Sequence, residues 1–214
     1  MKMMKMNDIG KLLDEVIPEP RCELNYSCDY ELLIAVMLSA QTTDKRVNEV
    51  TKVLFDRYKD LNELSVADLS EVEQILRPLG SFRKKAIYTI EVAKDLVSNY
   101  NSVVPKERKF LEALPGVGRK TVSVFLSEFY DIPEFAVDTH VARVSKRLGI
   151  SKENDDVLKI ESQMKKFFPK EEWARRHKQI VLFGRYYCKA IKPLCSECNL
   201  IDYCTCYKNK KKAD

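Results

Sequence analysis

The chain has 214 residues, 45% of them hydrophobic, enough to bury a core in one large domain or two small ones. Seven cysteines without an apolar signal segment in residues 1–6 argue against a secreted, disulfide-stapled fold. The longest strongly apolar run, residues 32–38, is far too short to cross a membrane. Thirty-seven basic against thirty-two acidic residues give a net charge of +5, a mild bias toward a polyanionic partner, and two histidines, His140 and His177, exclude a histidine-rich metal site.

The spacing of apolar residues is helical almost throughout. Residues 29–40 carry Leu32, Leu33, Val36 and Met37 on such a pattern, and 43–58 carry Val47, Val50, Val53, Leu54 and Tyr58. A Ser65-x-x-Asp68 cap is expected to open a helix over 65–76. Residues 82–100 place Ala86, Ile90, Ala93 and Val97 at near-helical spacing. Further helices are predicted over 106–114, 118–129, 138–148, 155–168 and 171–187, with Gly149 as a stop. Alternating strand patterns are lacking. The expectation is an all-α protein of about ten helices without a repeat. The lysine-rich residues 208–214 read as a solvated, disordered end.

Residues 111–121 read LEALPGVGRKT. A helix carrying Leu111 and Leu114 runs into Pro115-Gly116-Val117-Gly118, and a second helix begins behind it. The two glycines let the backbone turn tightly and approach another surface, while Val117 can plug the gap between the helices. The amides that open the second helix have no intrahelical partners and attract an anion, such as a DNA phosphate. An ordinary αα-turn also uses glycine; Arg119 and Lys120 directly behind the turn favour the anion site.

Lys120 lies in the first turn of that helix, where the helix dipole disfavours a cation. With Arg119 adjacent and with burial, the lysine would present a neutral amine able to attack an electrophilic carbon; a plain phosphate contact is the alternative for any lysine at a helix start. Asp138 opens AVDTHVAR, residues 136–143. As an N-cap it would accept from the amides of His140 or Val141; with Thr139 capping instead, its carboxylate is left for chemistry. Nothing local decides between these.

Near the C-terminus Cys188, Cys195, Cys198 and Cys204 form a C-x6-C-x2-C-x5-C array. Pro193, Asn199 and Asp202 mark this stretch as loop, against unrelated core thiols. Four reduced cysteines suit zinc or a four-iron cluster, and spacing alone does not choose. One CxxC pair with longer gaps on either side fits a loop wound around a bulky cluster better than a zinc ribbon.

LPGVGRKT, AVDTHVARVSKRLG and the cysteine array, in this order, resemble the endonuclease III family of helix-hairpin-helix DNA glycosylases. LIAVMLSAQTTDKRVN at residues 33–48 and LGSFRKKA at 79–86 are similar to the same family. The resemblance implies two all-helical domains flanking a DNA-binding cleft. A six-helix domain over 22–132 would hold the hairpin, and residues 1–21 with 133–214 would hold a [4Fe-4S] cluster on Cys188, Cys195, Cys198 and Cys204. It implies a glycosylase and AP lyase for oxidised pyrimidines, a monomer acting in the cytoplasm, at the nucleoid, on double-stranded DNA with damaged bases or abasic sites. Lys120 matches the nucleophile and Asp138 the essential carboxylate. Gln41 matches a residue that fills the space of the flipped base; Gly116, Val117, Gly118, Arg119 and His140 match DNA contacts.

The chain departs from the pattern at Ser81, where many relatives place a bulky apolar residue, so either Phe82 or another residue takes that role or the opposite-strand contact is weak. Cys206 is an additional thiol, either a competing ligand or exposed. Cys22 and Cys28 match no motif and read as packing residues. A thymine- or adenine-mismatch glycosylase and a non-catalytic hairpin module are the competing readings. The short chain with Lys120 opposes an adenine enzyme, and Lys120 together with Asp138 opposes the non-catalytic module.

Overall fold

Helix is the regular structure throughout the described part of this computed structural model, the backbone of residues 6–210 and the side chains of 8–209. The chain divides into two units, Cys22–Tyr130 and a second assembled from Met1–Arg21 with Asp131–Asp214. Met6–Val16 forms α1, which belongs to the second unit and is absent from the predicted set.

In the unit Cys22–Tyr130 the helices are α2 (Asp29–Leu38), α3 (Asp44–Arg57), α4 (Leu61–Ser65), α5 (Leu69–Leu76), α6 (Phe82–Tyr100), α7 (Arg108–Leu111) and α8 (Arg119–Phe129). Residues 32–38 are apolar without a break, so α2 has no polar face to offer water. It is covered on every side: all seven are buried, with α8 and α3 packed against the helix. Each such side chain contributes roughly 1.5–3 kcal/mol on leaving water. The long α6 packs against α4 and α5. Cys28 precedes α2 and, like Cys22, is half-buried.

Side-chain caps set several of the helix starts. Thr43, Asp60 and Asp68 accept from the amides of Arg46, Glu63 and Glu71. The expected Ser65 cap is corrected here: Ser65 ends α4, its hydroxyl donates to Asn62 O at 2.8 Å, and Asp68 opens α5 instead. A carboxylate three residues before Glu71 already satisfies the orphan amide, so Ser65 is free to finish the preceding turn. Helix α7 is a single turn, shorter than the predicted 106–114. Pro115 explains this, since the residue before a proline is driven from the helical region.

The second unit comprises α1, α9 (Thr139–Leu148), α10 (Val157–Phe167), α11 (Trp173–Tyr186) and α12 (Thr205–Lys210), with 3-10 turns at Lys170–Glu172, Cys195–Glu197 and Ile201–Tyr203. Ile9 and Leu13 of α1 join Val141, Val144, Ile160, Ile180 and Phe183 in one core. Helix α11 packs against both α9 and α1. Arg176, on α11, reaches Gly10 O at 2.9 Å and Asp14 Oδ1 at 2.8 Å, which docks the N-terminal helix onto the C-terminal half of the chain. Gly149 stops α9 as expected, with φ +77° and the amide of Ile150 donating back to Ser145 O at 2.9 Å. Of the tail expected to be disordered, residues 208–210 continue α12, and 211–214 lie outside the described residues.

Candidate active site, hairpin and cluster loop

The hairpin assembles Gly116, Val117, Gly118, Arg119 and Lys120 within one turn of backbone. Leu111, Leu114 and Val117 are buried and anchor it; Gly116 and Gly118 to Lys120 are exposed. Gly116 is required twice over. Its φ is +71°, and an added Cβ would lie 2.5 Å from the Tyr88 ring. Gly118 differs. It sits at the N-cap of α8 with φ −94°, has open space where a Cβ would be, and supplies no side-chain cap. The start of α8 thus lacks the side-chain acceptor that Ser, Thr, Asp or Asn would supply, an arrangement suited to an external anion.

Lys120 follows in the first turn of α8. The expected burial is not found, since its side chain is exposed. Desolvation of this amine has to come with the substrate. Gln41, in the same unit, lies beyond the end of α2, exposed and in the left-handed conformation with φ +56°.

Asp138 and His140 belong to the other unit, at the start of α9. Asp138 is the N-cap residue: Oδ1 accepts from the Val141 amide at 2.8 Å. The cap and a catalytic role are not exclusive, because the cap uses one oxygen and leaves Oδ2. His140 is half-buried, and Gly184 of α11 lies against it, where a Cβ would come within 2.9 Å of His140 Cβ. Arg143 Nη2 stands 3.1 Å from His140 Nδ1. A guanidinium only donates, so Nδ1 accepts in this contact and Nε2 is the donor nitrogen of the ring.

The cysteine array follows α11. Cys188, Cys195, Cys198 and Cys204 line a cavity of about 220 Å³ together with Tyr187, Leu194 and Ile201. All four are half-buried. Burial, and then the neighbouring sulfurs, push the thiols of Cys198 and Cys204 up. Coordinated iron would hold such sulfurs as thiolates. Donors are in place for that charge: Arg147 Nη1 lies 3.3 Å from Cys188 Sγ, and the Tyr207 amide donates to Cys204 Sγ at 3.4 Å. Thiols ringing a cavity, with N–H groups aimed at sulfur, fit a cluster larger than one ion.

Arg143 and Arg147, which the motifs did not single out, hold the start of the cysteine loop. Arg143 donates to Cys188 O at 3.1 Å and Gly184 O at 2.8 Å, and Arg147 donates to Lys189 O at 2.7 Å and Ala190 O at 3.2 Å. Their i, i+4 spacing on α9 put both on one face, which was the available signal. Cys206 lines the cluster cavity and an open groove beside it with Lys146 and Lys152, so it is both near the cluster and reachable from outside.

Residues 34–170 match the model of the HhH-GPD superfamily of base excision DNA repair proteins. Residues 188–204, from the first to the last cysteine of the array, match the iron-sulfur binding domain of endonuclease III. Endonuclease III of Bacillus subtilis is 43% identical over 205 residues, covering 94% of each chain.

The chain belongs to the endonuclease III family.

It is a base-excision DNA repair enzyme, a DNA glycosylase and AP lyase that carries a [4Fe-4S] cluster. A trapped endonuclease III–DNA covalent intermediate, the estranged-adenine complex, superposes with a TM-score of 0.91 at 44% identity, over 98% of this chain and all of that one. A thermostable thymine-DNA glycosylase is similar at TM-score 0.80 but only 21% identity, over 95% of each chain, a likeness of fold. DNA is the partner of this endonuclease III relative. No helix among the described residues is long and apolar enough to cross a membrane.

Proposed function

We propose that this endonuclease III family member excises oxidised pyrimidines from double-stranded DNA and nicks the strand at the abasic site, with Lys120 as nucleophile and Asp138 as the carboxylate that supports base departure. The observation that carries the reading is the hairpin. It offers open helix amides to a phosphate and places an exposed amine one residue into the same helix. Arg119, Gly116, Val117 and Gly118 hold the backbone, and His140 adds an Nε2 donor.

Bound DNA excludes water from Lys120, which favours the neutral amine. Its Nζ attacks C1′ of the flipped nucleotide, the glycosidic bond breaks and the base departs with a proton. Asp138, through Oδ2, takes part in that proton transfer and stabilises the positive charge growing on the sugar. The amine nitrogen and C1′ then form an imine as the sugar ring opens. Removal of the 2′-proton sends its electron pair into a C2′–C3′ double bond, and the 3′ C–O bond breaks to release the phosphate. Gln41 fills the space the base has left. The cluster, held by Cys188, Cys195, Cys198 and Cys204, would order the loop between α11 and α12; the bond-breaking steps belong to the side chains.

Two further points belong to this reading: the enzyme acts as a monomer, and it works in the cytoplasm, at the nucleoid. Single-turnover excision over a panel of oxidised pyrimidines and T·G mispairs tests the substrate class. Selective thymine removal would replace it with a mismatch glycosylase. Borohydride trapping tests the nucleophile. Lys120→Gln should lose the trapped adduct and strand cleavage while still binding duplex; undiminished nicking would remove Lys120 from the role.

A further inference from the structure

The unit Cys22–Tyr130 contains a buried ammonium that the chemistry above does not use. Lys85, in the first turn of α6, is only 7% exposed. Its Nζ donates to Ala40 O at 2.8 Å and to Thr42 Oγ1 at 3.0 Å. These are the two neighbours of Gln41, and Gln41 itself is left-handed at φ +56°. The amide of Lys85 donates to Ser81 O at 3.2 Å, and Ser81 is also left-handed, at φ +55°. One residue thus closes two backbone tips that non-glycine residues rarely adopt.

Such conformations persist only where their surroundings over-determine them. The acceptors of Lys85 are both neutral, and no carboxylate lies within ion-pair distance of it among the described residues. Burial accordingly pulls its pKa below the ordinary lysine value. A buried cation without a counter-charge is a poor source of stability, and an apolar side chain of similar shape is commonly tolerated in its place. Its two bonds, however, are aimed at the flanks of a side chain that has to enter DNA.

We propose that Lys85 is a positioning residue that clamps the 40–42 loop and ties it to the Ser81 turn, so that Gln41 is preset to enter the duplex when the damaged nucleotide leaves. This rests on the reading of Gln41 given above. Without the clamp the loop relaxes between turnovers, and the left-handed geometry has to be rebuilt during each insertion. Insertion slows, while the packing of the unit and the nucleophile stay as they are.

The test uses the full-length, cluster-loaded protein and a duplex carrying a stable abasic analogue opposite 2-aminopurine. Stopped-flow fluorescence then follows filling of the gap. Gln41→Ala should abolish the change, Lys85→Met should slow it about tenfold, and Lys85→Arg should recover part of the rate. Melting temperature and iron content should match the parent in both Lys85 variants. An unchanged rate in Lys85→Met, with Gln41→Ala still abolishing the signal, overturns the clamp and leaves the Gln41 reading standing. No effect of Gln41→Ala overturns that reading and the clamp together. Should Lys85→Met fail to fold, Thr42→Val removes a single acceptor and should slow the change about threefold; no slowing there overturns the clamp equally.

Discussion

Asp138 combines an observed cap with the catalytic charge that the proposed mechanism assigns to it. Its Oδ1 caps α9 through the Val141 amide, a bond that asparagine can also make. Charge separates the two roles. Asp138→Asn should leave the melting temperature within about 2 °C, because cap and volume are kept. Base excision in single turnover should fall by about a hundredfold or more, since a neutral amide stabilises a developing cation poorly. Cleavage of a preformed abasic site should fall less, because no base has to leave. Near-normal excision by the folded variant would reduce Asp138 to a cap. The proposed catalytic role was legible only through the family resemblance; the fact that the cap is made by Asp138 itself, and not by Thr139, came from the backbone path into α9.

At the scale of the element, the two hairpin glycines call for different experiments. A side chain at Gly116 meets the Tyr88 ring at 2.5 Å on top of a positive φ, so any substitution there disturbs folding as well as DNA contact. Gly118 has neither problem. Gly118→Asp would place a good N-cap at the start of α8, raising stability by a few tenths of a kcal/mol. The same carboxylate would occupy the anion position and repel phosphate. The expected outcome is an unchanged or slightly higher melting temperature with at least tenfold weaker binding to damaged and undamaged duplex alike. Loss confined to one lesion would argue against phosphate anchoring.

Helix α1 offers a second prediction at this scale. Hydrogen bonds from Arg176, and then from Gln179 and Arg175, hold the Asp14 carboxyl well below its ordinary value of 3.8. A carboxylate with a depressed folded-state pKa contributes stability above its unfolded pKa. That contribution is lost as pH falls through 3.8 toward the folded value. Asp14→Asn should therefore be less stable than the parent at neutral pH, and the gap should close in urea unfolding below about pH 3. A gap independent of pH would show that packing, not the ion pairs, docks α1. Its docking partners lie more than 160 positions away in the chain, as the Arg176 bond to Asp14 illustrates. No local pattern announces them.

At the scale of the whole molecule, the cluster closes the unit that joins the two ends of the chain. The purified protein should be yellow-brown and contain four irons. Oxidative removal of the iron leaves half-buried cysteines around a cavity of about 220 Å³ without the metal that would cross-link them. If metal binding contributes about 2 kcal/mol, melting should fall by roughly 4–8 °C. New proteolytic cuts should appear within residues 188–210 before any appear in Cys22–Tyr130, which has its own core. Simultaneous cutting of both units would contradict that independence.

What the sequence alone determined was written in short-range signals. Helical periodicity, Gly149 as a stop, the PGVG turn before two cations and the cysteine spacing act over a few residues, so their consequences can be read along the chain. Family resemblance then joined motifs that lie far apart. The tertiary structure decided what depends on partners distant in sequence. It left Lys120 exposed, since burial is a property of what packs around a site. It placed a helix start at Asp68, whose carboxylate takes the Glu71 amide, and left Ser65 to close α4. It also buried Lys85 beneath Gln41, and Lys85 looks like any surface cation in the run RKKA. A side chain's type is encoded locally, but its solvation and its partners are set by the fold that closes around it.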